Sequence, residues 1–412
     1  MKKFSLIAIL FILTVATTIP YWTGLITEQQ ISLFDQSVND LLGFEPTTHS
    51  YQRGWFQSSA QSNFNVSSPS TTTKYHLTLL HQINHGFLPL KPTTIDTILR
   101  SDPPLCIPQP FKIQTVFQAD GETAYFFNAP HCYFKQGIVQ LQSQKLQGEV
   151  RFNRDFKIKN ILSQTELAPD LADFMPITTE FALAELQLSN QSRLAVKLTD
   201  IQLRGKITLD QEDTLTITLI TSLLSMMTDD QKYGPGFLDL ELRRGYAPAI
   251  KEMMNTLINI FHSNLPPYQR KMTLLGVVMR HGATLLSYHP ELIIRRFSVA
   301  ADEGLLQGTL QVSVEATENQ FNPFQLLKWI KVEGDITTSL PRLRRLITQS
   351  FKILFQKTIP KDQLKQHMDH WLVQGILKQV EKSENYQLKF DLKQGQLVIN
   401  GQPVPLTALL LR

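Results

Sequence analysis

The chain has 412 residues, 42% of them hydrophobic and 18% charged, with a formal net charge of +4 and two cysteines. That length and apolar content suffice for a sizeable core divided over two or three domains. The positive excess is small and scattered, with no Lys/Arg run longer than a pair, which argues against a surface that tracks nucleic-acid phosphates.

Lys2 and Lys3 precede a near-continuous apolar run from Phe4 to Ile26, close to the roughly 20 residues that span a bilayer. Tyr21 and Trp22 are rings of the kind that settle at a membrane interface, and the two lysines keep the N-terminus cytoplasmic. Small-residue cleavage sites are poor here (Thr14-x-Ala16, Ala16-x-Thr18). The expectation is an uncleaved signal-anchor over residues 1–26, with the rest exported; a cleaved signal peptide is the alternative. An exported chain with two cysteines, Cys106 and Cys132, is compatible with one disulfide closing a loop of about 25 residues, worth roughly 3 kcal/mol.

Ile31, Phe34, Val38, Leu41 and Leu42 recur at helical spacing before Gly43. Two strands, 44–51 and 55–66, then flank Gln52-Arg53-Gly54, a hairpin turn in which Gly54 supplies positive φ. Short strands broken by prolines follow to about Val150, with residues 91–110 expected as a loop. Leu194, Val196 and Leu198 alternate, and Ile201, Leu203, Ile207 and Leu209 alternate with opposite parity. A bulge or turn near Thr199-Asp200 reconciles them.

Helices are expected at 247–262 and 268–283, strands at 291–300 and 306–316 joined across Asp302-Glu303-Gly304, and a short helix after Asn322-Pro323. A strand at 331–340 leads into amphipathic helices at 340–357 and 364–380. The chain closes with alternating Tyr386, Leu388, Phe390 and Leu392 and turns at Lys393-Gln394-Gly395 and Asn400-Gly401. This pattern predicts an α+β, antiparallel-sheet-rich, elongated fold whose sheets are covered by amphipathic helices. It divides into a β-rich region over 27–190 and an α+β region over 191–412.

The run Tyr51-Gln52-Arg53-Gly54-Trp55-Phe56-Gln57-Ser58-Ser59-Ala60 resembles the YxRGWFxSxA hairpin of YdgA-like proteins. His85-Gly86 resembles their HG step, with Phe87 where that family has proline. Leu397-Val398-Ile399-Asn400-Gly401-Gln402-Pro403 resembles their closing hairpin. The resemblance implies an inner-membrane-anchored periplasmic protein of Gram-negative bacteria, of unknown molecular function, and carries no catalytic residues.

Searches for chemistry return little. There is no Gly-x-Ser-x-Gly elbow, His-Glu-x-x-His, Cys-x-x-Cys or phosphate-cradling loop, and Gly234-Pro235-Gly236 reads as a turn. On one strand His81 and His85 share a face that His76 does not, so three ligands do not converge, and neither metal nor cofactor is implied. Asp229-Asp230 and Asp302-Glu303 fall in turns, where acids serve solubility and local hydrogen bonds.

Arg53, Trp55 and Phe56 are the candidate binding residues, forming an aromatic tip for lipid or a partner with Arg53 on a head group. Against this, adjacent strand residues face opposite sides, which predicts one aromatic in the core. Two function classes follow. One is a non-enzymatic envelope protein whose apolar sheet surface receives lipid, an envelope protein or a second copy. The other is a membrane-tethered, hydrolase-like periplasmic enzyme with a site assembled from scattered residues.

Overall fold

The fold was read from a computed structural model that describes residues 25, 27–28, 31–32, 45–67, 74–86, 92–102, 110–117, 122–136, 139–153, 177–190, 193–210, 214–228, 231–262, 266–315, 326–355, 360–380 and 383–404. It forms two compact units, residues 1–195 with 255–267, and residues 196–254 with 268–412.

The first unit is an antiparallel meander. Its strands are β1 (Glu45–Gln52), β2 (Gln57–Ser67), β3 (Lys74–Asn84), β4 (Thr93–Asp102), β5 (Phe111–Phe117), β6 (Glu122–Gln136), β7 (Val139–Asn153) and β8 (Ile177–Asn190). Each pairs with the next. One face of β2–β4 buries Ala60, Ile83 and Ile95 against Ile31, which comes from helical residues just beyond the apolar N-terminal run. Period-2 alternation sends these residues to one side, and the helical residues supply the apolar partner that this side requires.

The second unit continues with β9 (Arg193–Leu209), β10 (Thr214–Thr228), β11 (Lys232–Tyr246), β12 (Glu291–Ala301), β13 (Gly304–Val314) and β14 (Ile330–Ser339). The run closes with β15 (Lys378–Gln379), β16 (Asn385–Lys393), β17 (Gln396–Ile399) and β18 (Gln402–Val404). Pairing is again antiparallel, from β9 through β14 to β16, β17 and β18, with β15 on β16. The helices among the described residues are α1 (Ala247–His262), whose residues 255–262 belong to the first unit, α2 (Pro267–Ser287), α3 (Leu326–Trp329), α4 (Leu340–Phe355) and α5 (Lys361–Val373). Leu343, Leu364, Met368 and Leu377 form a buried cluster against which Tyr386 and Leu388 of β16 pack.

Turn chemistry follows the sequence closely at the C-terminal end. Gln394 and Gly395, and then Asn400 and Gly401, have positive φ, as tight hairpin turns require. Gly304 (φ +122°) turns β12 into β13. Asp200 (φ 49°) sits where the two alternations of β9 change parity, so a single kinked strand carries both.

The expected α+β class is corrected. Strands make up most of the described residues, and the helices pack locally on an antiparallel sheet rather than covering it. The expected helices at 247–262 and 340–357 form, the second ending at Phe355, but 16 helical residues reach only about 24 Å beside roughly 56 Å for a 17-residue strand. The helix expected at 364–380 ends at Val373 and gives way to β15. The loop expected at 91–110 contains β4, because its prolines bracket the inward alternation Thr93, Ile95 and Thr97 rather than interrupt it. Gly234-Pro235-Gly236 is a register irregularity inside β11, not a turn.

No helix among the described residues is long and apolar enough to cross a membrane. Residues 1–24, which carry almost all of the expected signal-anchor, lie outside the described residues, as do Asp229-Asp230 and most of the helix expected over 31–42.

Candidate functional site

The largest chemical feature is the apolar face of the second unit's sheet. Register aligns Ile207, Ile217, Leu242, Leu292, Val312, Val332, Leu392 and Leu397 side by side across eight strands. A parallel row contains Gly205, Leu219, Leu240, Ile294, Leu310, Gly334, Phe390 and Ile399. A third runs Leu203, Thr221, Leu238, Phe297, Gly308, Ile336 and Leu388. The opposite face is mostly polar: the row there runs Lys206, Thr218, Glu241, Ile293, Gln311, Glu333, Asp391 and Val398. With strands about 4.8 Å apart and same-face residues about 7 Å apart, the three rows span roughly 34 by 14 Å.

Two glycines keep this floor smooth. A Cβ on Gly334 would lie 2.3 Å from the Phe390 ring, and one on Gly308 2.3 Å from the Asp335 carbonyl oxygen and 3.0 Å from the Phe297 ring. Each ring therefore lies across its neighbouring strand, where only glycine leaves space. Among the described residues the face is only partly covered along its middle. Every residue of the first row is only partly buried, and in the second row Ile399 alone is a buried hydrophobic residue. Helices lie at the margins: Ile250 of α1 lies against Gly245, and α4 and α5 pack over Tyr386 and Leu388.

The polar side of this unit has its own ion pairs. Glu241, 7% exposed, is held between Arg243 (3.1 Å) and Arg295. The hydrogen bond from Arg243 keeps its carboxyl below the usual carboxylate range against the opposing effect of burial. Glu303, in the β12–β13 turn, pairs with Arg345 and with Arg342 (3.6 Å) of α4 and accepts a hydrogen bond from Gln231. Burial is the largest single effect and raises its pKa, but the hydrogen bonds from Arg345 and the backbone and the charges of Arg345 and Arg342 together outweigh it, and the net shift is downward. The acid expected to serve solubility thus ties the turn to a helix, a role that spacing alone does not reveal.

In the first unit, Arg53, Trp55 and Phe56 do come together, in the four-residue turn between β1 and β2. Both aromatics are exposed, 51% for Trp55 and 52% for Phe56. The expected burial of one ring is corrected: these residues sit in a bend, where strand alternation does not apply. Arg53 pairs with Glu28 rather than standing ready for a head group. Gly54 is required by contact, since a Cβ there would lie 2.0 Å from the Gln57 carbonyl oxygen; the expectation of positive φ is not met.

Behind the turn lies a buried polar layer invisible to motif searches. Ser58 Oγ accepts from the Gly54 N–H (3.1 Å) and lies 2.7 Å from His85 Nε2. The His85 N–H donates to the Phe56 carbonyl (2.9 Å), and the Gly86 N–H donates to Thr93 Oγ1 (3.1 Å). His81 Nδ1 contacts Thr97 Oγ1 (2.8 Å). Burial holds the pKa of His81 down to about 4, helped by the nearby His49, and burial also lowers that of His85. His76 lies on the exposed side against Asn65, so the facing expected for the three histidines is observed.

A serine beside a neutral imidazole has the composition of an activated nucleophile. Here Ser58 is 3% and His85 4% exposed, and His85 Nδ1 has no hydrogen-bond partner to orient it. The pair holds the turn closed; a substrate carbonyl has no approach to it. Cys132 lies in β6 opposite Ser143 and is not a free thiol. Cys106 lies outside the described residues.

A family profile described as "Bacterial protein of unknown function (DUF945)" matches residues 1–407, and the chain belongs to that family. No curated protein matches it.

Proposed function

We propose that this DUF945 protein is a membrane-anchored, periplasmic envelope protein that binds lipid on the open apolar face of its second unit and catalyses no reaction. The observation that carries the reading is the row from Ile207 to Leu397, eight strands wide and partly exposed throughout. Monomeric soluble proteins rarely leave contiguous apolar surface of more than a few hundred Å² without a binding role. The rows present no buried charge or directed donor, so they suit an extended apolar chain better than a polar substrate. The apolar run 4–26 and the resemblance of residues 51–60 to the YdgA-like hairpin support the anchor and the compartment.

The test is to purify the full chain in detergent and identify co-purifying lipid by mass spectrometry, for the parent and for Val312→Asp. Val312 lies between Leu292 and Val332 in the open row. The expected result is a folded variant that has lost the lipid. Unfolding of the variant would show the face to be a closed core, since an unpaired buried carboxylate costs several kcal/mol. Recovery of a protein partner or a second copy instead of lipid would reassign the occupant.

A further inference from the structure

We infer that the Trp55–Phe56 turn is a second membrane contact, seated in the head-group region of the bilayer that residues 4–26 enter; this rests on the reading of that run as a membrane anchor. The apolar run ends at Ile26. Immediately beyond it the chain is fixed to this turn: Thr27 is 4% exposed, Glu28 pairs with Arg53, and Ile31 is buried with Ala60, Ile83 and Ile95.

Two residues of backbone reach at most about 7 Å, so the Glu28 Cα lies within that distance of the last apolar residue and its side chain carries the contact on to Arg53. A bilayer surface at Ile26 therefore lies beside the turn. The two residues there are both aromatic and both about half exposed. Tryptophan is enriched at this depth because its ring is apolar and its N–H prefers water. Arg53 and Glu28 neutralise each other, so the contact does not depend on anionic lipid. The consequence is orientation: one attachment to the membrane becomes two, and the angle of the first unit's sheet to the bilayer is restricted.

The test uses the full chain in phosphatidylcholine vesicles with bromine placed on the acyl chains near the head group. The emission lost between the parent and Trp55→Phe reports Trp55, and that lost between the parent and Trp22→Phe reports Trp22. Both substitutions keep an aromatic ring. The expected result is bromine quenching of both signals, stronger for Trp55 with bromine near the head group than with bromine deep in the chains. Quenching of Trp22 with none of Trp55 overturns the proposal and leaves the anchor intact. Absence of quenching at both overturns the anchor reading and the proposal together.

Discussion

His85 Nε2 lies 2.7 Å from Ser58 Oγ, joining the end of β3 to the start of β2 beneath the aromatic turn. The same hydroxyl accepts the Gly54 N–H, and the His85 backbone closes on Phe56. One serine hydroxyl therefore links Gly54 of the 51–60 hairpin to His85 of the His85-Gly86 step. Replacing it leaves a buried imidazole nitrogen and a partly buried backbone donor without their partner. Ser58→Ala is expected to destabilise the first unit by about 1–3 kcal/mol in urea unfolding. An unchanged midpoint would show that the contact contributes nothing.

Gly54→Ala is expected to weaken the same turn by a different route. The added carbon would lie 2.0 Å from a backbone oxygen, which has no flexible side chain to give way. A cost of roughly 1–3 kcal/mol, typical of overpacking, is expected in the same assay. A neutral outcome would mean that the turn opens freely.

His81 should make the first unit acid-sensitive. Its folded pKa of about 4 lies below the ordinary 6.5, so the unfolded chain binds the proton more readily. The stabilisation is complete above about pH 6.5 and is lost as the pH falls towards 4, with a total on the order of 3 kcal/mol. His85, also lowered, acts in the same direction. Stability measured across that window is expected to fall for the parent and to fall less for His81→Asn. Parallel curves would assign the acid sensitivity to other groups.

Cys106 and Cys132 are expected to form one disulfide in the exported protein, shortening the freedom of the unfolded chain by a loop of about 25 residues. Alkylation of the unfolded, unreduced protein should modify neither. Quantitative labelling of both thiols would exclude the bridge.

The N-terminal run is expected to remain in the mature protein and hold it in the membrane through a carbonate wash. Intact-mass measurement should include Lys2 and Lys3. A mature chain beginning near Thr17 would show cleavage instead.

Sequence alone determined the local elements wherever one period dominates. Tyr386 to Leu392, the Asn400-Gly401 turn and the helix at 247–262 were legible because alternation, left-handed turn residues and a three-to-four repeat each arise within a few neighbours. It also brought Arg53, Trp55 and Phe56 together, because they are contiguous. Tertiary structure decided the rest. Whether Trp55 is buried depends on a bend that alternation does not anticipate, and Ser58 meets His85 only because β2 and β3 pair in one register. The apolar face depends on eight strands aligning their inward residues from Ile207 to Leu397, and its openness on helices that pack at the margins rather than over the middle. Each strand states only that it has an apolar side. What meets that side is set by contacts between residues far apart in the chain, and periodicity carries no record of them.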